Sequence, residues 1–322
     1  MASKKILVTG GAGFIGSHLV ERLLKEEYRV HVIDDLSTGN FDNIAYLEGD
    51  SRFAYTIDSV LDMDVMEKLI DDCDVIFHLA AAVGVEYVIE SNLKSMQINI
   101  RGTENVLELA NRGKKKVFVF SSSEVYGKSS EVPFGEDDDR ILGPTTVTRW
   151  SYAASKAVDE MMALAYFREK KLPVVIVRLF NTCGPRQTGK YGMVVPRFVK
   201  QALLGDHMTV YGDGSQSRCF ASVFDVIDGI MGLHDSDDVL GGVFNIGNDQ
   251  EVKIIDLAKQ VKKLTGSSSP IEFVPYDKAY MRGFEDMMRR VPDLSRIRET
   301  IGYRPRVSLS EIIQSVIDYY RT

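Results

Sequence analysis

The chain has 322 residues, 44% hydrophobic and 26% charged, the composition of a globular protein long enough for one large domain or two unequal lobes. Its net charge of -7 argues against a phosphate-backbone partner, and no apolar run approaches the roughly 18 residues of a membrane span, so neither nucleic acid nor membrane is expected. The start at Met1 runs straight into a strand rather than a signal-peptide core, and Cys73, Cys183 and Cys219 lack metal-ligand spacing, which predicts a cytoplasmic protein with reduced thiols and no metal.

Lys5 to Thr9 reads as a buried parallel strand, followed by Gly10-Gly11-Ala12-Gly13-Phe14-Ile15-Gly16 and an amphipathic helix to about Lys25. Glycines there let the backbone turn sharply and approach a pyrophosphate, whose charge a helix N-terminus favours. A second strand, Arg29 to Ile33, ends in Asp34-Asp35, about 20 residues after the glycines, where an acid accepts hydrogen bonds from ribose hydroxyls. A carboxylate at that place repels a 2′-phosphate, so NAD is expected rather than NADP. The third strand is expected over Phe53 to Ile57 and the fourth over Asp74 to Leu79, running into Ala80-Ala81-Ala82, small residues that leave room for a cofactor. His78 in that strand reads as a packed core histidine. Asn92 to Asn111 has helical periodicity with Asn99 inward, a candidate cofactor contact, and Lys114-Lys115-Lys116 opposes the helix macrodipole.

The fifth strand, Val117 to Phe120, delivers Ser121-Ser122-Ser123-Glu124-Val125-Tyr126-Gly127 to its carboxyl end, where ligands bind in a doubly wound sheet. The helix that follows places Tyr152 and Lys156 one turn apart, so phenol and ammonium share a face. A cation beside a phenol favours phenolate, which predicts a lowered Tyr152 pKa and a base usable near neutral pH. A sixth strand, Val174 to Phe180, completes an alternation of strand and helix that implies an α/β fold, a Rossmann-like doubly wound parallel sheet. After Asn181 the texture changes. Gly184-Pro185, Gly189, Gly192 and Pro196 punctuate a loop, and helices near Arg197–Leu204, Val223–Leu233, Ile255–Thr265, Leu294–Ile301 and Leu309–Tyr320 intersperse with strands at Met208–Tyr211, Val243–Ile246 and Ile271–Val274. This divides the chain into a cofactor domain, 1–181, and a smaller α/β lobe, 182–322, expected mainly to bind the substrate and to close over it.

In order along the chain, Thr9 to Gly16, Asp34-Asp35-Leu36, His78-Leu79-Ala80-Ala81, Ser122 to Gly127, Tyr152-x-x-x-Lys156 and Arg178-Leu179-Phe180-Asn181 together resemble an extended short-chain dehydrogenase/reductase acting on nucleotide sugars. The resemblance covers nearly the whole chain. It implies NAD held by Gly10, Gly13, Phe14, Ile15, Gly16, Asp34, Asp35, Leu79, Ala80, Ala81, Asn99, Tyr152 and Lys156. It also implies catalytic Ser122, Tyr152 and Lys156, a UDP-linked sugar met by Ser122, Ser123 and Asn181, and a homodimer packed through the Asn92 and Tyr152 helices.

Glu124 is the informative residue within that family. The 4-epimerases it resembles carry a small or hydroxyl residue there, whereas decarboxylases and 4,6-dehydratases carry Glu, which handles a proton at sugar C5 directly or through a water. Arg149-Trp150-Ser151-Tyr152, Gln216-Ser217-Arg218-Cys219-Phe220, Gly283-Phe284-Glu285-Asp286 and Arg290-Val291-Pro292-Asp293 resemble the UDP-glucuronate decarboxylase branch, in which Arg218 would contact the sugar nucleotide. One departure is Ser59, where the family has an adenine-contacting Asp. The implied chemistry is internally consistent: oxidation at C4 makes the C6 carboxylate of a glucuronosyl group a β-keto acid, which loses carbon dioxide because the ketone accepts the electrons. A UDP-sugar 4-epimerase and a 4,6-dehydratase are the rival readings.

Overall fold

The computed structural model describes residues 3–84, 91–189, 193–275 and 287–321. Gly192 and the Gly283 to Asp286 stretch lie outside the described residues. Seven strands form one parallel sheet: β1 (Lys5–Thr9), β2 (Arg29–Asp34), β3 (Phe53–Ile57), β4 (Val75–His78), β5 (Lys116–Ser122), β6 (Val174–Leu179) and, from far along the chain, β11 (Val243–Ile246). Their spatial order is β11-β6-β5-β4-β1-β2-β3. The order in which strands are added reverses between β1 and β4, so a crevice opens there at the carboxyl ends of the strands.

The central strands are apolar almost throughout because helices cover both faces. Ile6, Val8, Val32, Phe77 and Phe118 point to one side, where Leu19, Val20 and Leu23 of helix Phe14–Lys25 and Val226, Ile227 and Ile230 of helix Val223–Asp235 bury them. Leu7, Ile33, Ile76, Val117 and Val119 point to the other, against helices Met63–Asp71, Asn92–Gly113 and Ser151–Lys170. A separate core gathers Phe198 and Val199, Leu257 and Ala258, Ile312 and Ile313 from helices Val194–Leu204, Ile254–Thr265 and Leu309–Arg321, with Met208 and Val210 of β8 (Met208–Tyr211).

The division at 181/182 is corrected by these contacts. β11 pairs with β6, Val243 opposite Ile176 through Ile246 opposite Leu179, and helix Val223–Asp235 belongs to the first core. The physical reason is coverage: without those elements one edge and much of one face of the sheet would lie bare. Short pairings between β7 (Thr182–Cys183) and β10 (Ala221–Ser222), and between β9 (Ser217–Cys219) and β12 (Glu251–Lys253), also escaped the periodicity, being too short to display it. Among the described residues no helix is long and apolar enough to cross a membrane.

Candidate active site

A cavity of about 460 Å³ follows the crevice and is lined on one side by Gly10, Gly13, Phe14, Ile15, Gly16, Asp34, Asp35, Leu79, Ala80 and Ala81. The glycines are dictated by contact. A Cβ at Gly16 would lie 2.2 Å from the Gly10 carbonyl oxygen, and Gly10, at φ +72°, would bring one to 2.8 Å from the Ala80 nitrogen. Gly13 caps helix Phe14–Lys25 without any side-chain acceptor, so the first-turn N–H groups remain available to an anion. Asp34 is buried, its two oxygens accepting from Ala12 N and Leu36 N at 2.9 Å each. Burial raises its carboxyl above the ordinary range, against those hydrogen bonds. Asp35 is exposed beside it and accepts from Ser37 N at 3.0 Å. These donors and acceptors fit a dinucleotide lying across the switch point.

Asn99, expected as a cofactor contact, is not among the residues lining the cavity. Its side chain is consumed inside the wall, accepting from Ala82 N at 2.8 Å and donating to Ser155 Oγ at 3.0 Å. Ser59 does line the cavity, next to Asp58, and its Oγ accepts from Leu61 N at 3.2 Å.

At the other end β5 stops at Ser122 and a single 3₁₀ turn, Ser123–Tyr126, aims Glu124 inward. Ser122 Oγ caps that turn, accepting from Glu124 N at 3.3 Å, and Gly127 at φ +65° lets the chain leave it. Burial alone would raise the Glu124 carboxyl, but guanidinium groups of Arg149, at 2.5 Å, and Arg290, at 2.8 Å, overcome it and hold the pKa at about 2. Glu124 is therefore a fixed anion here.

Tyr152 and Lys156 stand on the first turns of helix Ser151–Lys170, both on the cavity wall. The lowered Tyr152 pKa is also corrected. Burial first, then the charge of Glu124, raise it, while a hydrogen bond with Ser122 and the nearby Arg149 oppose them. The Lys156 ammonium is paired with Asp159 Oδ2 at 3.1 Å. On the third wall stand Ser123, Asn181 and Arg218. Arg218 is buried, donating to Ser217 O at 2.7 Å, and Asn181 donates to Cys219 O at 3.1 Å. Beneath them Arg178 forks onto Glu160 at 2.9 and 2.8 Å and reaches the Tyr126 hydroxyl at 2.8 Å, which locks the ends of β5 and β6 together.

Arg149 and Arg290 are the site residues that sequence reasoning left without a role. Their only signal was position within the two decarboxylase-like stretches that contain them. Arg290 is delivered by the loop after Gly127: Phe134 N donates to Val291 O, and Asp293 N to Phe134 O, both at 2.8 Å. Asn245 of β11 ties the same two segments together, donating to Phe134 O at 2.9 Å and Asp293 O at 3.2 Å.

Comparison with known proteins supplies the context for this constellation. The family model described as GDP-mannose 4,6 dehydratase matches residues 7–316. A UDP-N-acetyl-alpha-D-glucosaminuronate decarboxylase of Bacillus cytotoxicus is 42% identical, over 99% of this chain and 98% of that protein. UDP-glucuronic acid decarboxylase 1 of Xenopus tropicalis is 35% identical over 99% of this chain and 72% of its own length. Among solved structures, UDP-glucuronic acid 4-epimerase from Bacillus cereus, in complex with UDP-glucuronic acid and NAD, superposes with a TM-score of 0.89 at 32% identity, covering 98% of this chain and 99% of that one.

Proposed function

The chain belongs to the GDP-mannose 4,6-dehydratase family of extended short-chain dehydrogenases/reductases, NAD-dependent enzymes of nucleotide sugars, and on that premise we propose that it decarboxylates UDP-glucuronate to UDP-xylose or its 4-keto pentose. The observation that carries this reading is Glu124, a largely enclosed anion between two arginines beside Tyr152, where a 4-epimerase of an uncharged sugar needs no charged cluster. NAD, held by Gly10, Gly13, Phe14, Ile15, Gly16, Asp34, Asp35, Leu79, Ala80 and Ala81, would supply the acceptor and later the donor of a hydride at sugar C4. Tyr152 takes the C4 hydroxyl proton and Ser122 orients that hydroxyl. Lys156 supports the phenolate by its charge. Ser123, Asn181 and Arg218 hold the sugar nucleotide. Glu124 keeps the Arg149 and Arg290 guanidiniums in place, so that together they present one net positive charge to a sugar carboxylate and to the ketone oxygen that receives its electrons. The proton at C5 comes from water ordered by this cluster.

The Bacillus cytotoxicus relative favours a second reading in which the hexuronate carries a 2-acetamido group. Incubating the protein with UDP-glucuronate and with UDP-N-acetylglucosaminuronate, then weighing the products, tests both. Loss of the mass of carbon dioxide supports decarboxylation; loss of water, or an unchanged mass with inverted C4, replaces it with dehydration or epimerisation. A homodimer is supported by the outward side chains of the adjoining helices Asn92–Gly113 and Ser151–Lys170, where Leu93, Val158 and Met161 are exposed. The three buried free thiols suit the reducing cytoplasm.

A further inference from the structure

Helix Ser151–Lys170 carries three ionisable groups on one face, Lys156, Asp159 and Glu160, all buried. Glu160 is fully engaged: its oxygens take Ser121 Oγ at 2.5 Å and both arms of Arg178. Asp159 is left to the Lys156 ammonium, and it is wholly enclosed. Behind it runs a directed chain of hydrogen bonds. Ala80 N donates to Thr9 Oγ1 at 3.1 Å, and that hydroxyl in turn meets His78 Nδ1 at 2.8 Å. His78 Nε2 meets Thr103 Oγ1 at 3.2 Å, and the Thr103 hydroxyl faces Asp159. Ala80 N can only donate, which leaves the Thr9 hydroxyl proton free for Nδ1; in that tautomer Nε2 carries the imidazole hydrogen toward Thr103. Burial raises the Asp159 carboxyl above its ordinary range, and the Lys156 ammonium and the Thr103 hydroxyl oppose that rise.

We propose that Asp159 is a positioning residue: it holds the Lys156 ammonium in a buried ion pair and draws part of its positive field away from the Tyr152 phenol. The proposal rests on the acid/base role given to Tyr152 above. A buried ammonium without a counter-ion is costly, and Asp159 supplies that partner before any cofactor hydroxyl reaches Lys156. The same negative charge opposes ionisation of Tyr152. The other groups facing the phenol come from separate elements and stay constant: Ser122 at the end of β5, Glu124 on the 3₁₀ turn with Arg290 behind it, and Arg149 from the turn Thr148–Trp150. His78 of β4 is neutral, its pKa pushed down by burial to about 3, and Glu160 is balanced by Arg178 of β6.

Two measurements test this on the full chain. In Asp159→Asn the acid limb of the kcat pH profile moves about one pH unit lower, since one buried negative charge near the phenol is gone. Independently of any substrate, difluorotyrosine placed at position 152 and followed by fluorine magnetic resonance titrates about one unit lower in the Asp159→Asn background. Asp159→Ser, which leaves room for a water on the ammonium, gives the same shift and covers a failure of the Asn variant to fold. A limb and a titration that stay put, or move upward, overturn the proposal. If no nucleotide sugar is turned over by the wild type, the reading of function fails, while the fluorine titration still decides the role of Asp159.

Discussion

Replacing Glu124 with Gln keeps the shape of the side chain and removes one negative charge from between Arg149 and Arg290. The two guanidiniums then present two positive charges instead of a net one. For a substrate carboxylate about 5 Å away, one extra charge is worth about 3 kcal/mol at an effective dielectric constant of about 20. As carbon dioxide leaves, its electrons pass to the ketone oxygen, so with the guanidiniums nearer the carboxylate than that oxygen the attraction is stronger before the bond breaks than after. It therefore deepens the ground state and slows decarboxylation, by up to roughly 10²-fold, with KM falling alongside kcat. Breaking a buried pair of this kind also costs about 3–5 kcal/mol of stability, so the melting temperature drops. The assay is a single turnover with UDP-glucuronate. Reduced-nicotinamide absorbance still appears, because hydride removal at C4 depends on Tyr152, while release of carbon dioxide lags. Full product formation at unchanged KM would refute the charge argument and, with it, the decarboxylase reading.

Tyr152→Phe lowers turnover by roughly 10² to 10⁴ while NAD stays bound; near-normal turnover removes Tyr152 from the mechanism. Because a carboxylate closes the end of β2, calorimetric titration finds NAD bound more tightly than NADP, and the reverse order contradicts the role of Asp34. Stability falls on mild acidification, since burial lowers the pKa of His78 to about 3 and of His234 to about 4, both below the unfolded value. The unfolded chain then binds protons that the folded one refuses. The stability is complete above about pH 6.5 and shrinks by about 1.4 kcal/mol per histidine per pH unit below it, down to each folded value. Urea unfolding at pH 7.5 and 5.5 checks this through a loss of about 2–3 kcal/mol, and equal midpoints speak against it.

The first lobe is legible because each step has a local cause: apolar runs for doubly covered strands, glycines where Gly16 meets the Gly10 carbonyl, an acid where β2 ends. Tyr152 and Lys156 follow from one turn of helix. What stays hidden depends on contacts between distant positions. Nothing local in Arg290 announces that it closes on Glu124, and nothing in a helical Asp at position 159 says that it is enclosed with Lys156. The expected effect of Lys156 on Tyr152 considered a pair, whereas the phenol answers at once to burial, to the Ser122 hydroxyl and to three charged neighbours, Glu124, Asp159 and Arg149. Asn99 points inward as its periodicity implies, yet inward there means the wall itself.

The return of β11 and helix Val223–Asp235 to the first sheet has a consequence for biosynthesis. When β1 to β6 have emerged from a ribosome, the face bearing Val8, Phe77 and Phe118 still lacks one of its two covering helices, and β6 is an open edge. Such a nascent chain displays the apolar surface and unpaired backbone that chaperones bind. Arg290 is translated later still, so the guanidinium clamp on Glu124 is completed after every glycine and acid of the dinucleotide crevice has been made. Vectorial synthesis thereby delivers the dinucleotide-lining segments well before the last arm of the clamp that faces the sugar.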